Sequence, residues 1–208
     1  MAFRGWLARF GVLGGALCAA ACMPQIESSE PLLEAGSQAL RPGLWALLAA
    51  DCEAPADAQM FDWPSCAIPV RVRPGDLALL IPALRRAPYR LADGTPLVLQ
   101  VRITEEELIG PGGPDSSAYT YYSFAPAGGA PLVAGEVRML RCPPDDEMPI
   151  EGLALEGEGV DPAMEPEREA EAEDRRCVAA TAMAVREAAR RSLIKRPDWR
   201  AVWVAELP

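Results

Sequence analysis

Six cysteines and no histidine bound the chemistry open to this 208-residue chain. Without histidine no side chain has an ordinary pKa near neutrality, which removes the Ser-His-Asp and Cys-His nucleophile systems and the His-containing zinc sites. A serine nucleophile would depend on Lys195, the single lysine, and no G-x-S-x-G sequence occurs. A four-cysteine zinc site would need C-x-x-C knuckles, and none is present. Carboxylate pairs remain, since glycosidic hydrolysis uses two acids and no histidine. Asp51, Asp62, Asp76, Asp93 and Glu136 fall near the ends of candidate strands, where turn-forming and solvated roles suit them equally. The expectation is a non-catalytic protein that needs no metal and no cofactor.

Four of the cysteines, Cys52, Cys66, Cys142 and Cys177, form an even set, which in an exported chain closes into two disulfides. Three connectivities are open. The favoured one joins Cys52 to Cys66 and Cys142 to Cys177, because each pair brackets a proline-rich or charge-rich stretch between structured segments. On a loop-closure argument the shorter ring contributes roughly 3 kcal/mol and the longer about 4.

The other two cysteines lie in GALCAAACMPQ, Gly15 to Gln25. Arg4 and Arg9 make a positive start, and Phe10 to Ala21 supply twelve uncharged residues. At about 1.5 Å per residue this run cannot cross a hydrocarbon core of roughly 30 Å, but it matches the apolar segment of a signal peptide. Ala19, Ala20 and Ala21 followed by Cys22 resemble the lipobox of bacterial lipoproteins, with Ala19 where leucine is commonest. A plain secretory A-x-A cut would fall at the same bond. The resemblance implies that residues 1–21 are removed and that Cys22 carries a diacylglycerol thioether and a further acyl chain. It places the protein outside the cytoplasm, lipid-anchored at the periplasmic face of the bacterial envelope. At about 0.8 kcal/mol per buried methylene, several chains hold permanently. Met23, not being aspartate, implies sorting to the outer membrane.

What remains, Cys22 to Pro208, is 187 residues, enough for one domain with a proper core. Loss of Arg4 and Arg9 takes the formal net charge from −10 to −12. Such a surface repels phosphate backbones and anionic lipid, which argues against nucleic acid and makes a cationic envelope protein the easier partner.

Residues 22–38 mix Pro, Ser, Glu and Gly without periodicity and read as a flexible tether, so the β-rich domain is expected over 39–208. Leu44, Ala46 and Leu48 alternate with Trp45 and Leu47, the pattern of a strand buried on both faces. Ile68, Val70 and Val72 alternate with Pro69, Arg71 and Arg73. Leu97, Leu99, Val101 and Ile103, entered through an Asp93-Gly94 turn, read as a half-buried strand. AYTYYSF and LVAGEVRML add further strands, giving six to eight antiparallel strands with local connections. Tyr119 and Tyr121 share one face of theirs, where they could stack on a sugar or pack as core.

Residues 143–174 hold thirteen acids against Arg168 alone and read as a solvated, self-repelling insertion. From Cys177 the period becomes helical, with Val178, Ala182, Val185, Ala189 and Leu193 on one face of a helix over 177–194. A basic helix of this kind could lie on anionic headgroups, but its uncharged face is alanine-rich and lacks bulky aromatics. RAVWVAEL then reads as a last strand.

The fold class expected is α+β, mainly an antiparallel meander or barrel with one C-terminal helix packed on it. Gly43-Leu44-Trp45 opening a first strand, followed by a meander, a late helix and a final strand, resembles the lipocalin order of elements. That resemblance implies an eight-stranded barrel around an apolar ligand; otherwise Trp45 is ordinary core. The function expected is binding or structural support in the envelope, with a carrier of an apolar ligand or an inhibitor of a cationic envelope-degrading enzyme as alternatives.

Overall fold

The computed structural model describes residues 23–55, 59–80, 85–104, 117–144, 147–156 and 176–207. Its strands are β1 (Ile26–Ser28), β2 (Gly43–Leu48), β3 (Ala67–Arg73), β4 (Asp76–Leu79), β5 (Arg85–Ala92), β6 (Leu97–Thr104), β7 (Ser117–Pro126), β8 (Ala134–Met139), β9 (Leu153–Glu156), β10 (Arg176–Ala179) and β11 (Trp199–Ala205), with one helix, α1 (Ala182–Ser192), between β10 and β11. Strands β2 to β8 follow one another as antiparallel neighbours, and β11 pairs with both β8 and β2 to close an eight-stranded barrel. The barrel, with a single helix against it, is the mainly antiparallel α+β class the alternation predicts.

The three remaining strands form an annex. β1 pairs with β7 where β8 has stopped, β10 runs parallel to β1, and β9 pairs with β10 at the sheet edge. This corrects the tether expected at 22–38. Ile26 is fully buried, Leu33 nearly so, and the Leu33 N–H donates to Gln100 Oε1 at 3.0 Å, so most of that segment belongs to the domain. Ile26 alone among Gln25, Glu27 and Ser28 is too sparse a signal to read as a strand.

The annex also corrects the helix. Cys177 and Val178 lie in β10, and α1 starts at Ala182 behind Thr181, whose side-chain oxygen accepts from the Ala184 N–H at 3.1 Å. An N-cap threonine ends the strand and starts the helix within two residues. Leu193 caps the helix and is 37% exposed, so the buried face is Ala184, Val185, Ala188, Ala189 and Ser192. Part of the expected acidic insertion is structured as well: Ile150 is buried and β9 is paired, while 157–174 lie outside the described residues.

Three apolar clusters follow from strands that are apolar on both faces. The barrel interior holds Trp45, Val70, Val72, Val101, Phe124 and Val137. A second cluster, with Ile26, Val98, Tyr121, Leu140 and the alanines of α1, lies between the outer wall and the helix and annex. A third joins Ala46 and Leu48 to Cys52 and Ala67. β6 is therefore buried on both faces rather than half-buried, since Val98 and Gln100 point outward under the annex at 0% and 1% exposure. At about 25 cal/mol per Å² of apolar area removed from water, this second layer of burial on the barrel's outside adds substantially to the core.

Both disulfides are closed. Cys52–Cys66 staples the β2–β3 connection, and Cys142–Cys177 ties the chain just beyond β8 to β10, holding the annex to the barrel.

Candidate functional site

Inward-facing positions of small barrels are filled by side chains unless a cavity is left for a ligand. Here a cavity of about 380 Å³ remains, within the roughly 300–1,000 Å³ range of small-molecule pockets. Trp45 and Leu47 of β2, Val70 and Val72 of β3, Leu99 and Val101 of β6, Tyr122 and Phe124 of β7, and Trp199 and Ala201 of β11 line it. The alternation that buries these residues puts every arginine of β3 and β6 on the outside. Among the described residues the lining carries no formal charge. Tyr89, buried in the same interior cluster, stays neutral, because burial and then the Asp76 carboxylate push its phenol up.

The two ends of the barrel differ. At one end the chain from Leu40 to Arg41 crosses beneath the strands, where the Arg41 N–H donates to the Leu132 carbonyl at 3.0 Å, and Leu40, Leu91, Leu97 and Leu132 are all buried. Trp45 sits on this floor, its Nε1 donating to the Arg41 carbonyl at 2.8 Å. At the other end the lining side chains are partly exposed among the described residues: Ile68 at 37%, and Leu47, Leu99, Tyr122 and Trp199 to intermediate degrees. β2, β4 and β6 end, and β3, β5 and β7 begin, at that open end.

Outside the wall, where β8 ends and β11 begins, lies a cleft of about 600 Å³ lined by Arg138, Arg141, Arg191, Lys195 and Arg196 with Glu147 and Asp198. Arg138 alternates with the cavity-lining Val137 and is buried on the outer face. Its Nε donates to the Lys195 carbonyl at 2.9 Å and Nη2 to Glu136 at 2.6 Å. Met23, the residue after Cys22, lines this cleft too. Cys22 itself, with residues 1–21, lies outside the described residues.

The carboxylates considered for hydrolysis are dispersed. Asp51 and Asp62 are exposed, Asp76 starts β4, Asp93 fastens Ser37 by accepting its N–H at 2.9 Å, and Glu136 is paired with Arg138. Tyr121 cannot stack on a sugar, because it is fully buried beneath β1, with its hydroxyl 2.5 Å from Ser28 Oγ. Tyr119 packs against the same cluster, and Tyr122, on the opposite face, lines the cavity. Sequence reasoning left the ligand-binding residues unassigned. The signal that could have found them was the even-spaced apolar set across successive strands, which alone does not separate a filled core from a cavity.

Among the described residues no helix is long and apolar enough to cross a membrane, and no three His, Cys, Asp or Glu side chains are grouped to hold a metal ion. Comparison with known protein families, curated proteins and solved structures finds no match for this chain. The fold and cavity define a closed antiparallel β-barrel with an apolar interior, and the disulfides place its folding in an oxidising compartment.

Proposed function

We propose that this is an exported, lipid-anchored binding protein that holds one slender apolar ligand, such as an acyl chain, in its barrel, in the manner of a lipocalin. The cavity carries the reading: among the described residues it is open at one end, floored at the other and free of charge along its wall. Burying a charged group without a partner is strongly unfavourable. A ligand with an ionic head therefore places only its hydrocarbon part inside and leaves the head in water at the mouth. The role is non-catalytic, in keeping with a chain that lacks histidine and disperses its carboxylates.

Native mass spectrometry of the mature chain, offered fatty acids of graded length, tests the proposal. Retention of one molecule per protein, increasing with chain length until the cavity is filled, is the expected result. A protein that remains bare at every length would reject it.

A further inference from the structure

We infer that the corner formed by Met148, Leu193 and Ile194 and flanked by Arg141, Lys195 and Arg196 rests on an anionic lipid surface, with the barrel's open end turned toward the membrane. This rests on the anchored, ligand-holding reading above and adds its orientation. Ile194 is 89% exposed and Met148 75%, and Leu193 adjoins Ile194 in sequence. Arg191 donates to the Met148 carbonyl, which brings the two segments together. Single exposed apolar side chains are ordinary; two in succession, Leu193 and Ile194, followed directly by the cations Lys195 and Arg196, are less so.

The rim suits phosphate headgroups. Lys195 pairs with Glu147 at 3.4 Å, Arg196 with Asp51 at 3.8 Å and Arg141 with Asp198 at 3.3 Å. Partly exposed ion pairs of this length are worth little, so a lipid phosphate can take over the cation while its aliphatic stem lies along the acyl boundary. Behind them Arg138, its side chain 7% exposed, leaves Nη1 without a hydrogen-bond partner among the described residues.

Location makes the corner part of the membrane side. Consecutive Cα atoms are about 3.8 Å apart, so a lipid on Cys22 leaves the protein beside Met23 and therefore beside this cleft. Arg196 reaches Asp51 in the β2–β3 connection, at the open end. A tether supplies an effective concentration of order millimolar, enough for a weak patch to engage despite the overall negative charge. The docking element is the helix's C-terminal corner, not its alanine face, which is occupied by the barrel.

The test uses the full lipidated protein reconstituted into vesicles containing brominated phosphatidylglycerol. Ile194→Trp, just beyond the C-terminus of α1, is compared with Met183→Trp, an exposed site in the helix's first turn. Bromine quenching of the added indole should be roughly twofold or more stronger at 194 than at 183, as expected for a side chain at the acyl boundary. The difference should shrink in neutral phosphatidylcholine vesicles and in Lys195→Glu/Arg196→Glu, but not when inorganic phosphate replaces chloride at equal ionic strength. Equal quenching at both positions, or a loss caused by free phosphate alone, overturns the inference; the second would make the cleft a phosphate-ion site. Capture of a protein partner by the same corner in place of lipid overturns it too. The mass of the N-terminal peptide and fatty-acid binding by the same sample show whether the anchor or the cavity reading fails with it.

Discussion

Gly43 lies against Trp203 so closely that a Cβ on it would stand 2.7 Å from the indole Nε1 and 2.4 Å from the Ala205 carbonyl oxygen. Its φ of +135° is a conformation that side chains disfavour, and it lets β2 begin at the point where β11 carries a register shift between Trp203 and Ala205. The Trp203 ring in turn carries the Arg41 guanidinium, 3.8 Å from its centre, and its Nε1 donates to the Pro42 carbonyl at 3.1 Å. Gly43→Ala should therefore cost about 2 kcal/mol or more, from backbone strain and loss of the floor contacts together. Thermal unfolding measures it; a variant with unchanged Tm would show that the floor tolerates a side chain here.

The annex depends on one covalent tie. Replacing Cys142 and Cys177 together by serine should destabilise the protein by up to about 4 kcal/mol on loop-closure grounds. Amides of β9 and β10 should lose hydrogen-exchange protection first, while β3 to β5 keep theirs. Uniform loss across all strands would mean that annex and barrel unfold as one unit.

Tyr121 joins the annex to the wall by a hydrogen bond. Ser28 Oγ donates to the Glu30 carbonyl at 2.6 Å, so the Tyr121 hydroxyl, 2.5 Å away, is the donor to Ser28. Tyr121→Phe removes that donor and keeps the ring, for an expected loss of about 1 kcal/mol, read by denaturant titration. A loss as large as that of Tyr121→Ala would assign the whole effect to the hydroxyl.

Acid should loosen the helix's charged face and the Asp93–Ser37 contact only at low pH. Hydrogen bonds from Arg190 and then Arg191 hold the Glu187 carboxyl down at about 2, and the Ser37 N–H lowers Asp93. Both carboxylates are depressed in the folded state, so their contribution is complete above the ordinary carboxylate range and fades as pH falls toward about 2. Glu187→Gln should lower Tm slightly at pH 7, and the gap to the parent should close by pH 2. A gap that widens on acidification would contradict the sign. High salt should shrink the effect, since the group is exposed.

What the sequence made legible was the barrel's alternation. Trp45 and Leu47 against Leu44, Ala46 and Leu48 mark a strand buried on both faces, and the stretches bracketed by the cysteines favour, among three open connectivities, the pairing present in the structure. The annex was not legible. β1 is three residues long, and its partner β10 lies some 150 positions away, a pairing that no local period encodes. Cys177 to Ala179 carry small apolar residues that fit a helix as well as a strand, so the helical period extended too far forward. The cavity was hidden for a different reason: patterning says which side chains face inward but not whether their volumes fill the space.

A titration of the mature protein with a fluorescent fatty acid, repeated with Ala201→Phe and with Val101→Phe, tests the central claim most directly. Each replacement projects a ring into the cavity from a different strand, and near-UV circular dichroism confirms that the barrel is intact. One saturable site in the parent, weakened about tenfold or more in both variants, is the result predicted for a ligand seated inside the barrel. Equal binding by the parent and both folded variants, or no binding by the parent, would contradict it.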